Sequence, residues 1–154
     1  MTRSFKFLIA AAIFVAGFCA CDKDDDDDDN VVSRTGLEIS GGQEVPAKTG
    51  PATGSLDVSY DKMTKMLSYT VRWDNLSGTP TGSHIHGVAS RGANAGVKHD
   101  FFPQFPKTIN GTFTNTVLVD GTQIKEDSLL AGYYYVNIHT ALNPGGEIRG
   151  QIEF

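Results

Sequence analysis

From Thr35 onward, apolar residues alternate with polar ones in short runs, and glycines separate the runs. Leu56, Val58 and Tyr60 alternate with Asp57 and Ser59, while Leu67, Tyr69, Val71 and Trp73 alternate with Ser68, Thr70 and Arg72. A period of two puts every second side chain on the same face of a strand. The two runs therefore predict a hairpin about a turn at 61–65, with one apolar face. Further strands are predicted at 83–87, 109–119, 133–140 and 147–154. Helical signal is confined to 126–131, closed by Gly132, and amounts to a turn or two. Six or seven strands in about 120 residues predict an all-β domain, a β-sandwich or Greek-key barrel. The long irregular stretch 87–107, which contains Phe101-Phe102-Pro103, reads as a functional loop folded over one face.

The same pleat sorts the polar residues. Ile85 is the core residue of Ser83-His84-Ile85-His86, so His84 and His86 point together to the opposite face. Val136 and Ile138 point inward, which sends Asn137 and His139 outward. By the same logic Ile148 and Ile152 point inward, and Glu147 and Arg149 outward. A His-x-His pair on a strand places two imidazoles about 6.5–7 Å apart at Cα, close enough to grip one ion. A third imidazole from an adjacent strand would give a three-nitrogen site suited to copper or zinc. The residues alone read first as surface histidines hydrogen-bonded to their neighbours. His99, in the long loop, is a fourth ligand or a solvated side chain. Arg149 is an anion-guiding charge or a structural partner of Glu147.

Composition narrows the function classes. The chain has 154 residues, enough for one domain of ordinary size, with a formal charge of −5. The charge is unevenly placed: residues 22–29 hold seven Asp and one Lys, whereas residues 30–154 carry 11 acids and 10 bases. A near-neutral domain without clustered Lys and Arg excludes nucleic acid as a partner. Both cysteines, Cys19 and Cys21, precede the domain, which excludes a disulfide framework, a thiolate metal cage and a thiol nucleophile within it. No Ser/His/Asp order and no phosphate-cradling glycine loop stands out, and nothing pairs two acids as glycoside hydrolysis requires.

Arg3 and Lys6 precede an apolar run of 12 residues, 7–18, the layout of a secretory signal and too short to span a bilayer. The sequence Phe18-Cys19-Ala20-Cys21 resembles the cleavage site of bacterial lipoproteins, with Cys21 as the lipid-modified first residue; Phe18 departs from the usual leucine. The Asp run to Asp29 reads as an extended, solvated spacer. Lys23 and the acids after Cys21 resemble the export signal of surface lipoproteins in Bacteroidetes-type bacteria. The division is a signal peptide at 1–20, a lipidated cysteine and acidic disordered tether at 21–35, and the β domain at 36–154. The expected location is the outer membrane, exposed at the cell surface and held by the lipid anchor.

Gly42-Gln43-Glu44-Val45-Pro46, Gly54, His84-Ile85-His86-Gly87, Tyr135-Val136-Asn137-Ile138-His139-Thr140 and Asn143-Pro144-Gly145-Gly146-Glu147-Ile148-Arg149-Gly150-Gln151 occur in order. Together they resemble the CHRD domain, the module repeated in chordin and found alone in many bacterial secreted proteins. The resemblance implies an immunoglobulin-like or superoxide-dismutase-like Greek-key β-sandwich and a binding role towards an extracellular protein or ligand. A more limited similarity to copper,zinc superoxide dismutase implies His84, His86 and His139 as copper ligands and Arg149 as the substrate-guiding arginine. Against it stand the absent intradomain disulfide and the absent run of zinc-loop histidines, and only His99 could stand in for the bridging ligand. The expected function is a surface-anchored, non-catalytic binding module, with copper or zinc as the candidate cofactor. The alternative is a copper-dependent, superoxide dismutase-like oxidoreductase.

Overall fold

The computed structural model describes residues 30–154; Cys21, the leader and the Asp run lie outside them. Eight antiparallel strands form one sheet in the order β5-β4-β7-β8-β1-β2-β3-β6. They are β1 (Val31–Ser40), β2 (Thr53–Asp61), β3 (Met66–Asp74), β4 (Pro80–Gly87), β5 (Val97–Asp100), β6 (Gly111–Leu118), β7 (Tyr134–Thr140) and β8 (Ile148–Ile152). The halves β5-β4-β7-β8 and β1-β2-β3-β6 are joined through a single β1–β8 pairing, Ser40 with Arg149. Strand β6 returns beside β3, and β7 beside β4, the crossed connectivity of a Greek key. The all-β sandwich expected from the alternation is therefore present.

The hairpin read from the sequence is β2–β3, in register from Thr53 with Asp74 to Asp61 with Met66. Its turn is set by Asp61, whose Oδ1 accepts the N–H groups of Met63 and Thr64, and by Lys65 at φ 60. Leu56, Val58, Tyr60, Leu67, Tyr69, Val71 and Trp73 are all buried. They meet Ile85, Tyr134, Val136, Ile138, Ile148 and Ile152 of the other half in one core. Outer strands β5 and β6 are not paired with each other, and aromatic rings bridge the gap between them. Phe101 stacks on Phe113 with centroids 5.7 Å apart and packs at 5.4 Å on Tyr69 of β3. The helical signal is the short α1 (Glu126–Leu130), whose Leu129 is buried.

Two strands escape the pattern. The first, β1, starts at Val31, so residues 31–35, assigned by sequence to the tether, are paired with β2. A bulge between Arg34 and Leu37 shifts its register, and Gly36 (φ 69) carries it, donating its N–H to Asp57 Oδ1 at 2.8 Å. The bulge reverses which parity faces the core, which erases the period of two. The second, β5, lies inside the stretch read as a loop, and only residues 88–96 and 101–107 around it are irregular.

Candidate metal centre

Strands β4, β7 and β8 lie side by side, and their pairing brings the polar sets together. His84 faces Asn137, which faces Arg149; His86 faces Tyr135, which faces Gln151; Gly82 faces His139. His84, His86 and His139 thus meet on one face, with one candidate ligand atom from each lying within 4.8 Å of the others. Their ring centroids are 5.4, 4.9 and 6.1 Å apart. Tetrahedral coordination with metal–nitrogen bonds of 2.0–2.1 Å puts ligand nitrogens about 3.3 Å apart. The His84 Nδ1 to His139 Nε2 contact is already 3.1 Å. The widest gap needs to close by no more than about 1.5 Å, a side-chain rotation.

Each imidazole is oriented by an acceptor on its far nitrogen. His86 Nδ1–H donates to Ala95 O at 2.9 Å, and His139 Nδ1–H donates to Pro144 O at 2.9 Å. A carbonyl only accepts, so both rings carry their proton on Nδ1 and offer a lone pair on Nε2. His139 Nε2 then accepts from His84 Nδ1–H. For His84 to ligate through Nδ1, its proton moves to Nε2, which faces Asp100 Oδ1 at 3.8 Å. Asp100 is itself held by Phe102 N–H at 2.9 Å. Two carbonyls and a carboxylate behind three imidazoles are the outer-shell arrangement that fixes ligand tautomers in metal sites. Burial, aided by the neighbouring His139 and His86, pushes His84 down to about 4. Burial also lowers His86 and His139. At neutral pH the three lone pairs are free of competing protons.

Room for the cluster comes from Gly82. A Cβ there would lie 3.0 Å from His84 Cε1 and 3.2 Å from His139 Cδ2. The glycine lets both rings settle against the sheet.

The polar face meets loop 88–96 rather than open water. Arg149 is 1 % exposed and stacks on the Tyr135 ring at 3.4 Å. Its guanidinium donates to Ala93 O at 2.9 Å and Gln151 Oε1 at 3.1 Å, with longer contacts to Asn94 Oδ1 and Ser90 O. Gln151 Nε2 donates to Ala89 O and Gly132 O, and Asn94 Nδ2 to Val45 O. These bonds pin the loop that supplies Ala95 O to His86. The Tyr135 ring stacks parallel to His86, at 5° and 4.9 Å, so Arg149, Tyr135 and His86 form one packed series.

Other predicted residues sit elsewhere. His99 pairs with Ile85 and so shares the core side of the sheet; its Nε2 is 3.2 Å from Tyr69 Oη, and it does not join the cluster. Glu147 is not Arg149's partner. It precedes β8 and accepts from Ser77 N–H, Ser77 Oγ and Thr140 Oγ1 at 2.8, 2.7 and 2.6 Å. Burial alone would raise its pKa, but these bonds hold it below the ordinary value. Sequence reading also missed Glu44, a carboxyl only 5 % exposed beside Asn137 and Arg149. Burial lifts it to about 7, against the pull of Arg149. Its glycine-flanked motif was visible, but its burial was not.

Fold and cluster together define an all-β sandwich with a histidine-bearing polar face under a loop. The chain belongs to the CHRD domain family, whose sequence model matches residues 36–152. Neither the curated proteins nor the solved structures contain a match to the chain.

Proposed function

We propose that this CHRD domain is a non-catalytic binding module that holds one Cu(II) or Zn(II) ion at His84, His86 and His139, tethered to the outer cell surface by lipid on Cys21. The metal reading rests on one observation: every imidazole of the cluster has its far nitrogen aimed at an acceptor, Ala95 O, Pro144 O or Asp100. Three neutral nitrogens without a thiolate suit copper or zinc rather than calcium or magnesium. Membership of the CHRD family supports the binding role towards an extracellular protein or ligand.

The oxidoreductase alternative asks Arg149 to steer an anion. A guanidinium 1 % exposed and donating to loop carbonyls argues for a structural task instead. The test is to titrate the full-length chain with Zn(II) and Cu(II) by calorimetry and to assay the copper-loaded protein for superoxide removal. We expect one ion per chain at sub-micromolar affinity, loss of binding in His84→Ala, and no superoxide removal above free copper. Failure to bind either ion below micromolar would refute the metal site. Turnover abolished by His84→Ala would replace the binding module with the enzyme.

A further inference from the structure

The centre of the polar face is occupied by a residue that none of the histidine reasoning uses. Asn137 lies on β7 directly opposite His84 of β4, two residues before His139 on its own strand. The facing pair His86–Tyr135 flanks it on one side and Gly82–His139 on the other. The three histidines therefore occupy three positions around it. Asn137 is 2 % exposed, and its Oδ1 is buried without a hydrogen-bond partner. The same is true of His86 Nε2.

The amide divides between two neighbours. Its Nδ2 and Glu44 Oε1 border the same small space over Gly146, where a Cβ would meet them at 2.8 and 2.3 Å. With Nδ2 on the Glu44 side, Oδ1 turns the other way, towards His86, whose ring it adjoins. His86 has already given its Nδ1 proton to Ala95 O. Its Nε2 is an acceptor, and so is Oδ1, so neither can bond the other. Two neighbouring buried acceptors with no donor leave a place that a cation can fill between them.

We propose that Asn137 completes the coordination sphere of the three-histidine centre, its Oδ1 taking the fourth position on a divalent transition-metal ion. The inference rests on the three-histidine reading and makes the site N₃O and four-coordinate, closed as structural zinc sites are although without their thiolates. A closed sphere also explains why such a site would be a binding or structural element, since it leaves no position for a substrate.

The experiment compares wild type, Asn137→Ala, Asn137→Asp and His84→Ala in the full-length chain. Zn(II) affinity is measured by calorimetry, and visible absorption is recorded with Co(II) as a spectroscopic probe. Asn137→Ala should weaken Zn(II) at least tenfold and shift the Co(II) bands, because a ligand has changed. Asn137→Asp keeps an oxygen in the same place and adds a charge, so it should bind Zn(II) at least as tightly as wild type. Circular dichroism identifies any variant that fails to fold; if Asn137→Ala is one, Asn137→Asp decides, shifted Co(II) bands supporting ligation by residue 137 and bands superimposable on wild type overturning it. If Asn137→Ala binds Zn(II) within twofold of wild type with superimposable Co(II) bands, the two acceptors are bridged by water and the proposal falls. His84→Ala tests the three-histidine reading separately: its loss of binding leaves that reading standing whichever way Asn137 falls. A wild type that takes up neither ion overturns both.

Discussion

A buried carboxyl beside a buried guanidinium is expected to be an ion pair, yet Glu44 is raised to about 7 because burial outweighs the attraction of Arg149. The consequence is a pH-dependent stability with a definite sign. In the unfolded chain Glu44 ionises near its ordinary 4.5, whereas the folded chain keeps the proton until about 7. Below the unfolded value both states are protonated and the residue costs nothing. Between the two values the unfolded state sheds its proton first, so stability falls as pH rises, and the loss is complete above 7. Glu44→Gln mimics the protonated form. It should raise the thermal midpoint at pH 8, by up to about 3 kcal/mol in stability, and leave it unchanged at pH 4. An equal effect at both pH values would mean that Glu44 is not held protonated. Gly82 permits a second test at this scale. Gly82→Ala places a Cβ 3.0 Å from His84 and 3.2 Å from His139, and the rings can move while the strand cannot. Zn(II) affinity should fall about tenfold with little change in unfolding midpoint, as for other disturbances of ligand orientation.

Loop 88–96 behaves as an element although it has no regular structure. Its carbonyls at Ala89, Ser90 and Ala93 are held by Gln151 and Arg149, and its Ala95 O meets His86. Arg149→Lys keeps the charge but loses the planar fork and the stack on Tyr135. Bonds from a charged group contribute about 1.5–3 kcal/mol each, so stability should drop by at least about 1.5 kcal/mol. Limited proteolysis should cut within 88–96 faster than in wild type, while circular dichroism keeps the sheet signature. Cleavage at an unchanged rate would show that Arg149 does not fasten the loop. The same element marks where sequence reading stops. Strands β2 and β3 are legible because a strict period of two sets out one apolar face. Strands β4, β7 and β8 are legible because Ile or Val alternates there with polar residues, although both of their faces are buried. Strand β1 is hidden by the Gly36 bulge, and β5 by its length of four residues with Lys, His and Asp among them. The histidine trio is legible from the pleat of two strands. Its outer shell is not, because Ala95 O, Pro144 O and Asp100 arrive through loop packing and strand pairing. A backbone carbonyl has no letter in the sequence, and Glu44 reads as a surface acid until its turn is seen tucked under β7 and β8.

At the scale of the whole molecule, charge and topology separate two tasks. The domain, residues 30–154, has 11 acids and 10 bases and an apolar core closed by the Phe101–Phe113 stack. Nothing in that balance draws it to an anionic membrane surface. The surface attachment proposed above would therefore have to come from outside the domain. We attribute it to a lipid on Cys21, followed by the seven Asp and one Lys of residues 22–29. The domain itself has no cysteine, so replacing Cys21 leaves the fold untouched. Cys21→Ser should move the protein from the membrane fraction to the soluble fraction, with its unfolding midpoint and Zn(II) affinity unchanged. Cys19→Ser should leave it anchored, because the bulky Phe18 precedes that cysteine. Anchoring that survives Cys21→Ser would place the attachment elsewhere in the chain. Release accompanied by loss of Zn(II) binding would mean that the tether and the metal centre are not independent.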